Sequence, residues 1–92
     1  MSVSVGATVR VLRMDPPGHH RTPRFVRGKE GMVIGLAGRM PDAERLAYGG
    51  RGPDRPVWRV RFSQIALWPD YAGDPRDTVV LDLYEHWLEP RT

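Results

Sequence analysis

The 92-residue chain contains no cysteine. This absence excludes disulfide bonds and thiolate-bound metal sites within the chain itself, and it is typical of proteins in a reducing compartment. The first residues lack a basic segment followed by an apolar run, so we expect no signal peptide. No apolar run approaches the length of a membrane span. We therefore expect a cytoplasmic protein that makes no contact with a membrane.

Lysine is almost absent, since thirteen of the fourteen basic residues are arginine and Lys29 is the exception. Arginine offers planar, bidentate recognition of oxyanions, which lysine cannot provide. A genome rich in G and C favours arginine codons and explains the total equally well, but it does not explain the clustering. The stretch from Arg10 to Lys29 contains six basic residues and one acidic residue, Asp15, so its net charge is +5. Residues 70–92 contain six acidic residues and two arginines, so their net charge is −4.

Catalytic constellations are also missing from the sequence. No pair of carboxylates, no Ser–His–Asp arrangement and no phosphate-binding glycine loop stands out, because residues 49–52 are too short for such a loop. His19 and His20 are adjacent, so their side chains diverge, and no cysteine joins them. Solvated or hydrogen-bonded histidines are the ordinary interpretation. We expect neither a metal site nor a cofactor in this chain, and no catalysis by the chain alone.

The most informative stretch is residues 16–31, which we call the basic segment. It contains three prolines, two histidines and four basic residues. Neither a helix nor a central strand tolerates this proline spacing, so we predict a stiff, extended loop that presents guanidinium groups. Three roles remain open from the residues alone: a solvated connection, a nucleic-acid surface, or docking onto an acidic or oxyanionic site of a partner. The acidic carboxyl-terminal part weakens the nucleic-acid role, because it would repel phosphates.

The rest of the sequence predicts a single all-β domain over residues 1–92. Val57–Phe62 is the clearest strand, because Trp58, Val60 and Phe62 alternate with two arginines. Met32–Leu36 is apolar on both faces and is therefore predicted to be a central strand, with a bulge or close approach at its glycine. The other strands are predicted at residues 8–14, 78–83 and 88–89, with a Ser63-capped helical turn over residues 63–68 and a tight turn at 84–87. Five short, mostly antiparallel strands indicate a small SH3-like barrel.

Residues 37–56 are predicted to be the least ordered part of the domain. They contain seven glycines and prolines, although residues 41–48 are compatible with two turns of helix. A loop of about 20 residues is long for so small a domain, which indicates function or disorder. In the isolated chain we expect protease cleavage at Arg39, Arg45 or Arg51.

Three separated motifs resemble the carboxyl-terminal half of nitrile hydratase β subunits. Residues 17–31 resemble the family segment PPGHTRxPRYxRGKxGxI, residues 57–68 resemble YxVRFxxxELWG, and residues 78–90 resemble VxVDLWExYLEP. The motifs keep the family's order across nearly the whole chain. Because these residues match only the second half of those β subunits, we expect the first half on a separate chain, as in thiocyanate hydrolase and the three-subunit toyocamycin nitrile hydratase, whose β subunit is divided between two chains.

The resemblance implies a supporting role at a metal site held by another chain. In the family, the α subunit binds cobalt(III) or iron(III) through backbone amides and cysteine thiolates, two of them oxidised to sulfinate and sulfenate. The enzyme hydrates a nitrile to an amide, and β-subunit arginines donate hydrogen bonds to the oxidised sulfur ligands. The arginine in the HTR part of the family segment corresponds to Arg21 of this chain, and Arg24 is the second candidate. His20 occupies the place where the family has threonine.

We therefore expect a small non-metal subunit of a multi-chain nitrile hydratase, which is a lyase. Its expected partners are an α-type metal-binding subunit, which holds the cobalt or iron, and a chain equivalent to the β-subunit amino-terminal half. The alternative is a stand-alone SH3-like binding module, either a metallochaperone-like assembly factor or a nucleic-acid module. Strongly salt-dependent binding to DNA or RNA would favour the nucleic-acid module.

Overall fold

The computed structural model describes residues 3–14, 22–41 and 54–91. In this part the chain is all-β, as predicted, with five antiparallel strands in one sheet. The strands are β1 (Thr8–Val11), β2 (Glu30–Pro41), β3 (Asp54–Ser63), β4 (Thr78–Tyr84) and β5 (Leu88–Arg91). A one-turn helix, α1 (Gln64–Leu67), and two 3-10 turns, Arg24–Val26 and Glu85–Trp87, connect them. No helix of the described ranges is long and apolar enough to cross a membrane.

The sheet must be rolled, because its two edge strands are joined by a very short link. The strand order is β4-β3-β2-β1-β5, yet only the turn Glu85–Trp87 separates β4 from β5. In a flat sheet, four spacings of about 4.8 Å would place these edges about 19 Å apart. The chain from Tyr84 to Leu88 spans at most about 14 Å. The rolled sheet agrees with a barrel, while its SH3-like relationship stays a prediction.

Alternating valines and aromatic residues form the core inside the rolled sheet. The predicted alternation of β3 is confirmed from Arg59 onward, because Val60 and Phe62 are fully buried whereas Arg59 and Arg61 are exposed. It fails at the start of the strand, where Val57 is buried and Trp58 is only half-buried. Trp87, in the turn between β4 and β5, is the largest fully buried side chain. The other fully buried or nearly fully buried apolar side chains include Val9, Val11, Val26, Val33 and Leu83.

Strand β2 is central in the sheet, as predicted, but it is not buried on both faces. Val33 is fully buried, whereas Met32, Ile34 and Leu36 are 41%, 36% and 55% exposed. Successive side chains of a strand point to opposite faces, and in the described part no second layer covers the outer face. The unbroken apolar run therefore correctly predicted that β2 is central in the sheet. It wrongly predicted that both faces of β2 are buried. The bulge predicted at Gly35 is confirmed by a register shift between Val33 and Gly35.

The prediction that residues 37–56 are the least ordered is wrong at both ends of that range. Strand β2 continues to Pro41 and β3 begins at Asp54, and these two residues pair across the hairpin. The Arg39 guanidinium donates a hydrogen bond to the Asp54 carbonyl (3.0 Å), and the Tyr84 hydroxyl donates one to the Pro41 carbonyl (2.7 Å). Cross-strand pairing thus overrides the local glycine and proline content. The remaining predicted features lie outside the described residues: Arg45, Arg51 and the helix beyond Pro41.

Two smaller predictions also need correction. Ser63 occupies the N-cap position of α1 but makes no side-chain capping hydrogen bond there. Strand β5 does not stop before Pro90 but continues through it. Proline is tolerated there because β5 is an edge strand, so the missing backbone N–H leaves no gap inside the sheet.

Gly31 in β2 has no room for a side chain. An added Cβ would lie 2.8 Å from both the Arg61 carbonyl oxygen and Val60 Cγ1. We expect Gly31→Ala to lower the free energy of unfolding by about 1–3 kcal/mol in urea denaturation, because backbone and core must shift. Gly35→Ala is the control in the same strand, since nothing lies within 4 Å of its Cβ. Equal losses in the two variants would contradict this close packing.

Candidate functional site

Part of the basic segment is a helical turn, although Pro23 and Arg27 on either side of that turn have extended backbone. Arg24–Val26 forms a 3-10 turn, in which the backbone N–H of Arg27 donates to the Arg24 carbonyl at 3.1 Å. Pro23 precedes the turn with a φ of −60°, which suits both helical and extended backbone. Val26 is fully buried and anchors the turn to the core. The prediction of a wholly extended segment is therefore wrong here. A proline just before a short helical turn favours that turn, because its fixed φ suits the start of a helix.

Arg27 makes a dense set of hydrogen bonds to backbone carbonyls. Its Nε and Nη2 donate to the Thr22 carbonyl at 3.2 and 2.8 Å, and its Nη1 donates to the Met14 carbonyl at 3.0 Å. The guanidinium carbon lies 4.9 Å from the ring centre of buried Trp87. Met14 and Thr22 are the described residues on either side of residues 15–21. One side chain thus joins the two stretches of backbone that flank residues 15–21.

An open depression of about 420 Å³ lies beside this turn. Its described lining consists of Arg13, Met14, Arg24 and Arg27, so it carries three guanidinium groups and no carboxylate. Guanidinium groups donate hydrogen bonds in a planar fork and suit carboxylate, phosphate and other oxyanions. The depression is therefore a candidate oxyanion-binding site.

Gly28 leaves room for the side chain of Arg13 to reach this depression. Its φ is +80°, a left-handed conformation that glycine adopts without strain. An added Cβ would lie 2.9 Å from Arg13 Cζ, so the arginine side chain crosses directly over the glycine. The glycine of the basic segment thus has both a backbone and a packing role.

Of the two predicted site residues, Arg24 is described and Arg21 lies outside the described residues, as do His19 and His20. Arg24 is exposed and shares the depression with Arg13 and Arg27. Sequence patterns do not single out Arg13 and Arg27. The clustering of positive charge between Arg10 and Lys29 was the available signal, but it could not rank the members of the cluster.

Exposed aromatic side chains adjoin the same turn. Phe25 stacks on Trp68 with ring centres 5.3 Å apart and an angle of 23° between the planes. Both rings are partly exposed, and Ile65 of α1 is exposed as well. Aromatic residues beside arginine are typical of the energetically dominant part of protein interfaces. This composition favours a docking role for the basic segment over that of a solvated connection.

The acidic loop, residues 69–77, uses its carboxylates for local structure. The Tyr71 hydroxyl donates a 2.5 Å hydrogen bond to Asp77, and this bond raises the pKa of Tyr71. The Arg76 guanidinium donates to Asp74 at 2.9 Å and, together with the Arg76 backbone N–H, lowers the pKa of Asp74. These exposed pairs hold the turns of the loop and do not form an acid–base pair over a cleft.

The donor groups near the depression do not fit a metal ion. No group of three or more histidines, cysteines, aspartates or glutamates lies together among residues 3–14, 22–41 and 54–91. The arginines of the depression repel cations and offer no acceptor. They suit anionic oxygens instead.

A second depression, of about 320 Å³, lies where β2, β3 and β4 meet Thr22. Tyr84 and Asp82 contribute its polar atoms from β4. Thr22 is buried here, while its carbonyl accepts the hydrogen bonds of Arg27. Thr22 therefore takes part both in this depression and in the hydrogen bonds of Arg27.

Comparison with known proteins agrees with the resemblance found in the sequence. Residues 2–90 match the family model "Nitrile hydratase beta subunit, C-terminal". The chain is 36% identical over 86 residues to a nitrile hydratase subunit beta of Pseudomonas putida, covering 94% of this chain and 40% of that one. It is also 36% identical to a cobalt-containing nitrile hydratase subunit beta of Pseudonocardia thermophila, covering 91% of this chain and 36% of that one.

A solved structure with a similar fold is thiocyanate hydrolase from Thiobacillus thioparus, a recombinant apo-enzyme. The TM-score is 0.89 at 29% identity, covering 97% of this chain and 75% of that one. The chain spans less than half the length of the two nitrile hydratase subunits. The predicted resemblance is confirmed, and the chain belongs to the family of nitrile hydratase β-subunit carboxyl-terminal domains.

Proposed function

We propose that this chain is a small non-metal subunit of a multi-chain nitrile hydratase, with arginines that bind the oxidised cysteine ligands of a partner's metal ion. The observation that carries the proposal is the depression lined by Arg13, Arg24 and Arg27, whose described lining has no carboxylate. Arg21, three residues before Arg24 in the same segment, is the arginine that we assign to the ligand oxygens. Arg24 is the second candidate.

The chemistry of the proposed contact follows from the two groups involved. A cysteine sulfinate is an anion at neutral pH, and a guanidinium donates two parallel, charge-assisted hydrogen bonds to such a group. Across an interface these bonds orient the ligand oxygens and offset their negative charge, as hydrogen bonds to metal ligands do elsewhere. Nitrile hydration takes place at the partner's metal ion. The residues of this chain contribute hydrogen bonds and shape, and no proton transfer is assigned to them.

The proposed partners are an α-type metal-binding subunit and a polypeptide equivalent to the amino-terminal half of the β subunit. The relatives are named as β subunits, and this chain matches only part of their length. One relative is named as cobalt-containing, which favours cobalt over iron in the partner. Phe25 and Trp68 offer the partly exposed aromatic surface beside the arginines where we place the α-type subunit. We propose that the assembly works in the cytoplasm.

Co-expression tests this proposal directly. The chain is expressed with the neighbouring genes of its genome, and the products are searched for a chain with a cysteine-rich metal loop. We expect a complex of fixed stoichiometry that survives size-exclusion chromatography and converts a nitrile to its amide. A double variant, Phe25→Ala with Trp68→Ala, should weaken the complex at least about tenfold, because interface aromatic residues often contribute more than 1 kcal/mol each. Failure of the unaltered chain to join any metal-carrying chain would overturn the proposal.

The alternative, a stand-alone binding module, also has an observation in its favour. Three guanidinium groups around an open depression suit a nucleic-acid phosphate as well as a sulfinate. Fluorescence anisotropy with labelled DNA and RNA separates the two functions. The alternative requires binding that weakens linearly in a plot of log affinity against log salt concentration, in a chain that forms no enzyme complex.

A further inference from the structure

We infer that Arg27 is a positioning residue, whose guanidinium holds together the two ends of residues 15–21 and so places Arg21. This inference rests on the proposed function, because it gives Arg21 something to reach. The observations that carry it are the hydrogen bonds of Arg27 to the carbonyls of Met14 and Thr22. These two residues border the seven-residue stretch that ends in Arg21.

The geometry of the guanidinium explains why arginine is needed. One edge, formed by Nε and Nη2, donates to the Thr22 carbonyl, while Nη1 donates to the Met14 carbonyl. A lysine ammonium is a compact point charge without a planar fork, so it cannot bridge the two carbonyls in this way. Arg27→Lys therefore keeps the charge and most of the apolar stem but loses the bridge.

The side chain of Arg27 starts from a firmly held backbone. The N–H of Gly28 donates to the Val11 carbonyl at 2.7 Å, which ties the turn to β1. Val26, on the other side, is fully buried. The guanidinium also lies over the Trp87 ring, so the core supports it from below. The Arg27 guanidinium can place two stretches of backbone only if its own position is fixed. The contacts of Val26, Gly28 and Trp87 fix it.

Limited trypsin digestion of the full chain gives a readout that is independent of activity. The bond after Arg21 leads into Thr22, which is only 4% exposed and carries a carbonyl bound by Arg27. Cleavage there requires local opening. In Arg27→Lys we expect cleavage after Arg21, measured by mass spectrometry against cleavage after exposed Arg76, to rise about tenfold or more. An unchanged ratio overturns the inference.

Two further variants control this digestion. Arg59→Lys removes the hydrogen bond of another arginine, that to the Asp82 carboxylate, and Arg59 is part of the described lining of neither depression. It should leave the ratio of cleavage after Arg21 unchanged. Arg27→Gln keeps an amide donor for one carbonyl but not for both, and should raise cleavage as Arg27→Lys does. If both Arg27 variants lose cooperative thermal unfolding, Arg27 serves global stability and the positioning role is overturned.

A double-mutant cycle in the assembled enzyme tests whether Arg27 acts through Arg21. We expect Arg27→Lys to lower kcat about tenfold when Arg21 is present, and less than about twofold in the Arg21→Ala background. Equal factors in both backgrounds mean a merely structural role and overturn the inference. If Arg21→Ala itself leaves kcat unchanged, the proposed function fails instead, and the digestion result shows separately whether Arg27 holds the segment.

Discussion

Arg21→Ala in the assembled enzyme should lower kcat by a factor of about 30 to several thousand, equivalent to about 2–5 kcal/mol. The loss arises because an oxidised, negatively charged ligand oxygen would remain buried at the interface without its hydrogen-bond donor. Arg21→Lys should fall in between, since an ammonium keeps the charge but not the two parallel hydrogen bonds. The measurement is amide production under saturating nitrile, with metal content and subunit stoichiometry determined on the same sample.

The matched control for this prediction is Arg76→Ala. Arg76 is an exposed arginine of the acidic loop, paired with Asp74, and it lies outside the basic segment. An exposed ion pair of this kind contributes little, so kcat should stay within about twofold. Arg24→Ala serves as the comparison within the segment and should cost less than Arg21→Ala. If Arg21→Ala behaves like Arg76→Ala while Arg24→Ala abolishes turnover, the assignment passes to Arg24; if neither matters, the arginine contact is wrong.

Local patterns were sufficient to predict that the five strands exist, but not where each of them ends. The alternation of apolar and charged residues in β3 predicted the strand and the buried face of its second half, and Gly35 predicted the bulge in β2. These features depend on neighbouring residues and on the period of a strand. The extension of the β2–β3 hairpin to Pro41 and Asp54 depends instead on pairing between distant residues, which local glycine and proline content cannot reveal.

The apolar run of β2 shows where the reasoning from sequence had to fail. Met32 and Leu36 face outward and are exposed, although Val33 beside them is fully buried. An apolar side chain buried by its own domain and one left for another surface have the same identity in a sequence. Only the rolled sheet distinguishes the two faces, since it places one inside and leaves the other uncovered in the described residues.

The candidate site was predictable as a charged segment but not as an arrangement. The cluster of basic residues and the resemblance pointed to Arg21 and Arg24, and the second of these does line the depression. Arg27 belongs to the same cluster, but the sequence does not indicate its role, because that role depends on the carbonyls of Met14 and Thr22 coming close together in space. Backbone carbonyls are present at every position, so their use by a particular guanidinium follows from the fold alone.

Trp87→Ala should have the largest effect on stability, lowering the free energy of unfolding by about 3–5 kcal/mol. Trp87 is fully buried, and no other fully buried side chain of the described residues is larger. A domain of this length has a total stability of about 5–14 kcal/mol, so the variant would lose a large part of it. The Trp87 carbonyl also accepts a hydrogen bond from the Leu12 N–H at 2.9 Å, which joins the turn to the end of β1.

Trp68→Ala is the matched control, because it removes the same side chain from a position that is 41% exposed. We expect a smaller loss of about 0.5–1.5 kcal/mol in urea denaturation, because the half-exposed ring contributes mainly its stack on Phe25. Trp87→Ala also removes the ring beneath Arg27. If the variant still folds at low temperature, trypsin should cut after Arg21 faster than in the Trp68→Ala chain. Equal stability of the two variants would mean that the core does not depend on Trp87. The contact of Trp87 with Arg27 would then not explain how the basic segment is placed.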